Sequence, residues 1–294
     1  MMNRFYFEDQ AEAFQRHMNQ FSRFVLLVDA RTNGYCTPLL YSQFPKLREA
    51  RLITIPQGEA YKTLDTCSYI WSMLMQLETD TSTLVLILGG GVLCDLGAFA
   101  CSVFKRGLDV MLIPTTLLAM TDACYGGKNG FDFMGVKNMI GLIRQPEGIY
   151  IQPAFLRSLP ERVIRCGYAE MIKHALLSDQ QSWQQICNAS PSALCSTSYI
   201  RHSLEIKARL IGDDLYDQHD RQRLNFGHSI GHAIESYLLQ GDNPLMHGEA
   251  IMLGMAYELR LSQWRYNCPS QLYVELIELL QKLFPGWILP MLEA

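Results

Sequence analysis

Two histidines four residues apart, His228 and His232, stand in a run that also holds Arg221, Asn225 and Glu235. At that spacing the two imidazoles share one helical face, where they could hold one cation. The motif reads GHSIGH. Ser229 occupies the position of the glutamate base in HExxH, so a zincin mechanism is unsupported. Gly227 and Gly231 each weaken such a helix by about 1 kcal/mol relative to alanine, which suggests that something large or close must fit beside them. A third imidazole, His247 of His247-Gly248-Glu249, follows after a loop. Upstream, Glu170 and Lys173 are three residues apart on one helical face, with His174 next. Three histidines and Glu170 can fill a His/Glu zinc set with room for substrate oxygens. Core or capping histidines and a plain salt bridge would account for the same residues without a metal.

A second group of residues suits anions. Leu84–Leu88 is an unbroken apolar run, the pattern of a buried parallel strand. Gly89, Gly90 and Gly91 follow, and Val92–Val103 then reads as a mostly apolar helix. Glycines after a strand let backbone approach a phosphate, and helix N-terminal amides can hold its charge. The GxGxxG spacing is absent, and a tight structural turn has the same composition. Another strand, Leu108–Ile113, ends at Pro114, Thr115 and Thr116. Asp122, Gly126, Gly127 and Lys128 follow, then Lys137, Asn138 and Gly141. With Arg106, these lysines interrupt an otherwise apolar, glycine-rich stretch. They suit a phosphate or carboxylate, or are exposed loop lysines.

The elements that must position these groups change character along the chain. Ala11–Phe21 has weak helical spacing. Phe24–Val28 is a strand ending at Asp29, Asn33-Gly34 signals a turn, and Tyr35–Ser42 starts a helix. Leu52–Ile55 is a short strand before Gly58-Glu59-Ala60-Tyr61-Lys62. Ile70, Leu74 and Leu77 form a helical stripe, and Ile149–Ile151 closes the series as a last strand. Strands alternating with helices predict an α/β domain with its sites beyond the carboxyl ends of the strands. Asp29, Glu59, Gly89–Gly91, Asp95 and Thr115 fall there. Ser158-Leu159-Pro160-Glu161 reads as a helix start with Ser158 as cap. No strand pattern follows, so the second domain is expected to be helical. There Lys207 lies on the apolar stripe of Ile200, Leu204 and Ile211, where a lysine either snorkels or meets an anion. Asp213, Asp214, Asp217 and Asp220 suit a solvated acidic face.

Composition narrows the classes. The 294 residues are 49% hydrophobic and 18% charged, enough for two ordered domains. Net charge is −4 with no basic block, which argues against nucleic acid. No apolar run reaches membrane-helix length, and the acidic start is unlike a signal peptide. The nine cysteines, irregularly spaced and without CxxC, read as core thiols of a reducing, cytoplasmic compartment.

Gly89–Asp95 (GGGVLCD), Lys105–Gly107 (KRG), Pro114–Asp122 (PTTLLAMTD), Tyr125–Lys128 (YGGK) and Lys137–Gly141 (KNMIG) occur in order. Together they resemble the 3-dehydroquinate synthase family of sugar phosphate cyclases, from about Val25 to about Leu261. The resemblance implies a two-domain α/β plus all-α fold. A Rossmann-like dinucleotide-binding domain would span 1–151, and a helical metal- and substrate-binding domain 152–294. It implies conversion of 3-deoxy-D-arabino-heptulosonate 7-phosphate to 3-dehydroquinate and phosphate, with NAD reduced and reoxidised in one turnover, in the shikimate pathway of aromatic amino acid biosynthesis. Asp29, Glu59, Lys62, Gly90, Gly91, Asp95, Thr115, Thr116, Lys128 and Lys137 match NAD-binding positions. Glu170, His228 and His247 match ligands of zinc, or of cobalt, and His232 then lines the substrate pocket. Asp122, Lys128, Glu170, Lys173, Lys207, Arg221 and His232 match catalytic positions. Lys137, Asn138 and Asn225 match substrate contacts, with Lys128 and Asn138 at the phosphate of a small phosphorylated sugar acid. Arg106 resembles an arginine that reaches the neighbouring site of a homodimer.

Three positions depart from the family pattern: Arg31 for asparagine, Cys94 for glycine and Asp217 for glutamate. A helix over Leu272–Phe284 is broken by Pro285-Gly286-Trp287, and no DKK-like lysine motif follows. A shortened C-terminus implies weakened phosphate binding, a second product that fills the gap, or a scaffold without activity, and is expected to expose apolar surface on the helical domain. Another sugar phosphate cyclase, an iron- or zinc-dependent alcohol dehydrogenase relative, and a non-catalytic NAD- or zinc-binding homologue are the competing readings.

Overall fold

The structure, a computed structural model, describes residues 5–238 and 245–284. Pro285-Gly286-Trp287 lies outside the described residues. The chain divides into two compact units, one ending at Leu159 and one beginning at Pro160.

The first unit is built on a parallel sheet of six strands: β1 (Phe5–Phe7), β2 (Arg23–Asp29), β3 (Arg51–Ile55), β4 (Thr83–Gly89), β5 (Asp109–Pro114) and, after a hairpin, β8 (Gly148–Ile151). Their order across the sheet is β1-β8-β5-β4-β2-β3. β4 is buried throughout, as a continuous apolar run requires when both faces of a sheet are covered. The helices are α1 (Ala11–Met18), α2 (Ala30–Tyr35), α3 (Thr37–Gln43), α4 (Leu64–Gln76) and α5 (Gly91–Val103). Gly97 lets α5 lie close on the sheet: a Cβ there would come 2.8 Å from a Leu27 methyl.

From β2 the chain adds β3 on one side, then returns to place β4 on the other side of β2. The strand order therefore reverses between β2 and β4. In doubly wound sheets the crevice at such a switch point receives the ligand. The residues leading out of it are Asp29, at the end of β2, and Gly89–Gly91, at the end of β4.

Three local expectations are corrected in this unit. Asn33-Gly34 is no turn but lies within α2, because Asp29 caps that helix by accepting the Arg31 and Thr32 amides. Lys128, Lys137 and Asn138 belong to strands rather than loops, in an antiparallel hairpin of β6 (Lys128–Phe133) and β7 (Val136–Ile143). Its two-residue connection, Met134 (φ 50°) and Gly135 (φ 79°), has the left-handed backbone that matches strand twist in tight hairpins. Third, Ser158 does not cap the following helix. Its hydroxyl donates to the Phe155 carbonyl, and extended Leu159 and Pro160 separate it from the first turn.

The second unit is helical among the described residues: α6 (Glu161–Leu176), α7 (Gln180–Asn188), α8 (Pro191–Leu194), α9 (Thr197–Ile211), α10 (His228–Leu238), α11 (His247–Tyr266) and α12 (Ser270–Leu283). A 3-10 turn, Asp220–Asn225, precedes α10. What fits beside Gly227 and Gly231 is the backbone of α11. A Cβ on Gly231 would come 2.9 Å from Ile251 and 3.0 Å from the Ala250 carbonyl. A Cβ on Gly254 would overlap the Gly227 carbonyl. At the far end of α11, Leu261, Trp264 and Tyr266 are exposed. No helix among the described residues is long and apolar enough to cross a membrane.

Candidate active site

In the second unit the chemistry converges on the centre of α6. Residues Cys166–Ala175 are all buried, so Glu170 and Lys173 are held inside the unit rather than on a solvated face. Glu170 is 0% and Lys173 2% exposed, and they form an ion pair one helical turn apart. A buried carboxylate needs such a partner, because desolvation alone would drive it neutral.

His228 and His247 come from the first residues of α10 and α11. Their Nε2 atoms lie 3.8 Å and 3.9 Å from the same Glu170 Oε1. The donor atoms of Glu170, His228 and His247 lie within 4.8 Å of one another. Ligands about 2.1 Å from a tetrahedral cation sit about 3.4 Å apart, so one carboxylate and two imidazoles at this spacing fit zinc or a similar divalent ion. His228 is already in the ligating form. Burial, and then the Lys173 cation, push its pKa from 6.5 down to about 4, against the opposing pull of Glu170.

Charged residues that the sequence does not single out hold these helix starts. Glu249 accepts the Met246 amide at 2.8 Å, fixing the first turn of α11 beside His247. The same carboxylate receives a two-pronged contact from Arg162 of α6, each prong 2.7 Å. Glu258 of α11 accepts the Gly227 amide at 2.7 Å and the Ile230 amide at 3.4 Å, capping α10 where its dipole favours an anion. Their signal in the sequence was only the HGE spacing and ordinary helical charges.

His232 lies on the same side of α10 as His228, with ring centroids 5.3 Å apart. Its Nδ1 is 3.2 Å from Glu235 Oε2. Lys207 and Arg221 are buried cations, and Asn225 is exposed at the end of the 3-10 turn. The acidic run is more than a solvated face. Asp214 accepts the amides of Gln218, His219 and Arg221, which lowers its pKa, and Arg221 Nη1 donates to the Leu215 carbonyl at 2.7 Å. Asp217 sits in this loop with φ 61°.

In the first unit, Lys62 is the hub. Its ammonium donates to Asp95 Oδ2 at 2.8 Å and to Asn138 Oδ1 at 2.6 Å, tying the turn after β3 to α5 and β7. Burial opposes its charge, yet Asp95, with Glu59 and Asp132, holds its pKa above the ordinary lysine value. Lys137 Nζ lies 3.7 Å from Glu59. Gly90 caps α5 without a side chain, and a Cβ there would come 3.1 Å from Thr116. Thr115 is buried and donates its amide to Gly89, while Thr116 Oγ1 accepts the Ala119 amide. This helix start at the switch point, capped by no side chain, suits a pyrophosphate.

Asp29 is engaged in capping α2, and exposed Arg31 places its guanidinium over Tyr35 at 5.8 Å. Cys94 is buried within α5 and its thiol donates to the Gly89 carbonyl at 3.6 Å. Asp122 lies in a short π-helix, Ala119–Ala123, Lys128 opens β6, and Arg106 occupies an exposed turn. That turn is strained: Lys105 (φ 48°), Arg106 (φ 68°) and Gly107 (φ 121°) are all left-handed in succession.

Comparison with known proteins agrees with both units. The family model for the 3-dehydroquinate synthase N-terminal region matches residues 52–166, and that for the C-terminal region matches 167–291. The chain belongs to the 3-dehydroquinate synthase family. The 3-dehydroquinate synthase of Methylacidiphilum infernorum is 36% identical over 90% of this chain and 74% of its own length. That of Parabacteroides distasonis is 33% identical over 91% and 76%. Two solved cyclases share the fold of this family member, each with TM-score 0.84 and 24% identity. One is 2-deoxy-scyllo-inosose synthase complexed with carbaglucose-6-phosphate, NAD+ and Co2+, covering 98% of this chain and 80% of its own. The other is the 2-epi-5-epi-valiolone synthase of Streptomyces hygroscopicus with NAD+ and Zn2+ bound, covering 99% and 81%.

Proposed function

We propose that this chain is a 3-dehydroquinate synthase that uses NAD and one divalent metal ion, zinc or cobalt, to convert 3-deoxy-D-arabino-heptulosonate 7-phosphate to 3-dehydroquinate and phosphate. The observation that carries the reading is the Glu170, His228 and His247 donor set, in a chain that matches both halves of the family. When bound, the metal supplies Lewis acidity toward substrate hydroxyls, and NAD supplies a reversible hydride store.

The chain's own residues bind, orient and move protons. Lys173 pairs with the buried Glu170 carboxylate and holds it in place. Buried Lys207 and Arg221 bind the substrate carboxylate, where a guanidinium fork suits a planar anion, and Asn225 adds a hydroxyl contact. His232, half exposed, exchanges protons with the substrate. In the first unit the Gly90–Gly91 helix start takes the dinucleotide pyrophosphate, and Lys62 holds Asp95 of the same helix and Asn138 of β7. Asp122, Lys128, Lys137 and Asn138 serve the substrate and its phosphate, and Arg106 serves the corresponding site of a second copy.

The test is phosphate release from 3-deoxy-D-arabino-heptulosonate 7-phosphate by the purified chain with NAD and zinc. Release without net NADH, lost in Lys173→Met of matching circular dichroism, is the expected result. Net NADH with a simple polyol, or NAD and zinc binding without phosphate release, would overturn it.

A further inference from the structure

His247 stands between two buried carboxylates. Its Nε2 lies 3.9 Å from Glu170 Oε1, and its Nδ1 lies 3.7 Å from Glu235 Oε2. Glu235 is 5% exposed, and the same Oε2 is 3.2 Å from His232 Nδ1. It follows His228 by seven residues on α10, two helical turns, and so faces the same side. A neutral imidazole carries one N–H, and a carboxylate facing one nitrogen keeps the proton there while the other presents its lone pair.

We propose that Glu235 is a positioning residue for the metal centre: it holds His247 with the proton on Nδ1 and the Nε2 lone pair turned toward Glu170 and His228, without itself ligating the ion. The inference rests on the reading that Glu170, His228 and His247 are the metal ligands. Carboxylates placed behind ligating histidines in this way strengthen the ligand and fix its ring. The competing use of the same atoms is a ligand trio of His232, Glu235 and His247, whose donors also lie within 4.8 Å of one another. The structure favours the positioning role. His232 has 48% of its side chain exposed, whereas the other trio is closed around a Glu170 carboxylate that is 0% exposed.

The experiment is zinc affinity of the whole chain by chelator competition, for wild type, Glu235→Gln, Glu235→Asp, His232→Ala and Glu170→Gln, with NAD affinity as the folding control. Glu235→Gln keeps the shape and removes the charge. Glu235→Asp keeps the charge and withdraws it from His247. Both are expected to bind zinc about 10–100-fold more weakly, with His232→Ala within about threefold of wild type. Wild-type affinity in both Glu235 variants, alongside loss in Glu170→Gln, would overturn the positioning role and leave the metal assignment standing. Loss in His232→Ala equal to that in Glu235→Gln would make Glu235 a ligand and overturn it too. Wild-type affinity in Glu170→Gln would instead remove the metal assignment itself, and the inference with it.

Discussion

A histidine that is to bind a metal must arrive unprotonated, and His228 is held that way by burial and by the Lys173 ammonium. Its pKa is about 4 in the folded chain against 6.5 in the unfolded one, so between those values the unfolded chain binds the extra proton. The resulting stability is present above pH 6.5 and is lost as pH falls through 4, to a limit of about 3 kcal/mol. Metal-stripped protein is therefore expected to lose melting temperature between pH 7 and pH 4.5, and His228→Gln to lose less over the same interval, measured by calorimetry. A second expectation concerns Lys173. Lys173→Met removes the cation that Glu170 pairs with in a fully buried position, and should cost about 3–5 kcal/mol in urea unfolding. The glutamate and histidines of this cluster stood out in the sequence by their helical spacing, which core histidines and a salt bridge would also explain; their grouping as a metal set came with the family resemblance. Glu249, Glu258 and Arg162 were not, because a charged residue on a helix reads as solvated until the fold shows what it meets.

At the scale of elements, α10 and α11 bring His228 and His247 to one place because three glycines remove the side chains that would keep them apart. Gly254→Ala puts a Cβ onto the Gly227 carbonyl, with no flexible neighbour to give way. It should destabilise the second unit by about 3 kcal/mol and weaken zinc binding at least tenfold, read by urea unfolding and chelator competition. Gly227 and Gly231 were visible in the sequence as a cost that something close must explain, but Gly254 was not singled out, and their partner lies on a later helix that no local pattern reveals. Strands were legible where burial on both faces makes an unbroken apolar run, as in β2 and β4. The β6–β7 hairpin was not, since its lysines, asparagines and glycines lack that signature, and its clearest mark is only the Met134-Gly135 turn. The expected Ser158 cap fails for a related reason: the S-x-x-E spacing is present, but an extended Leu159-Pro160 pair intervenes.

For the molecule as a whole, the Glu170, His228 and His247 cluster comes from the second unit and the glycine turn at the switch point from the first. Each unit is compact by itself and holds buried apolar residues, the arrangement of domains that can be perturbed separately. The alternation of strands and helices announced the first unit, and the end of that alternation announced the second. The strand order was hidden, because pairing between strands distant in sequence leaves no local trace. Independence of the two sets makes a crossed prediction. Gly90→Val places a branched side chain against Thr116 at the start of α5, and should weaken NAD at least tenfold while zinc affinity stays within about threefold. His228→Gln should do the reverse, removing a zinc ligand and sparing NAD. Both are measured on the same preparations, NAD by its thermal shift and zinc by chelator competition, since a ligand raises the melting temperature only of protein that still binds it. A chain in which either substitution abolished both affinities would not be built from two separately organised sites. A chain that passes both arms would have each cofactor held by its own unit, as the strand switch point and the Glu170 cluster each imply.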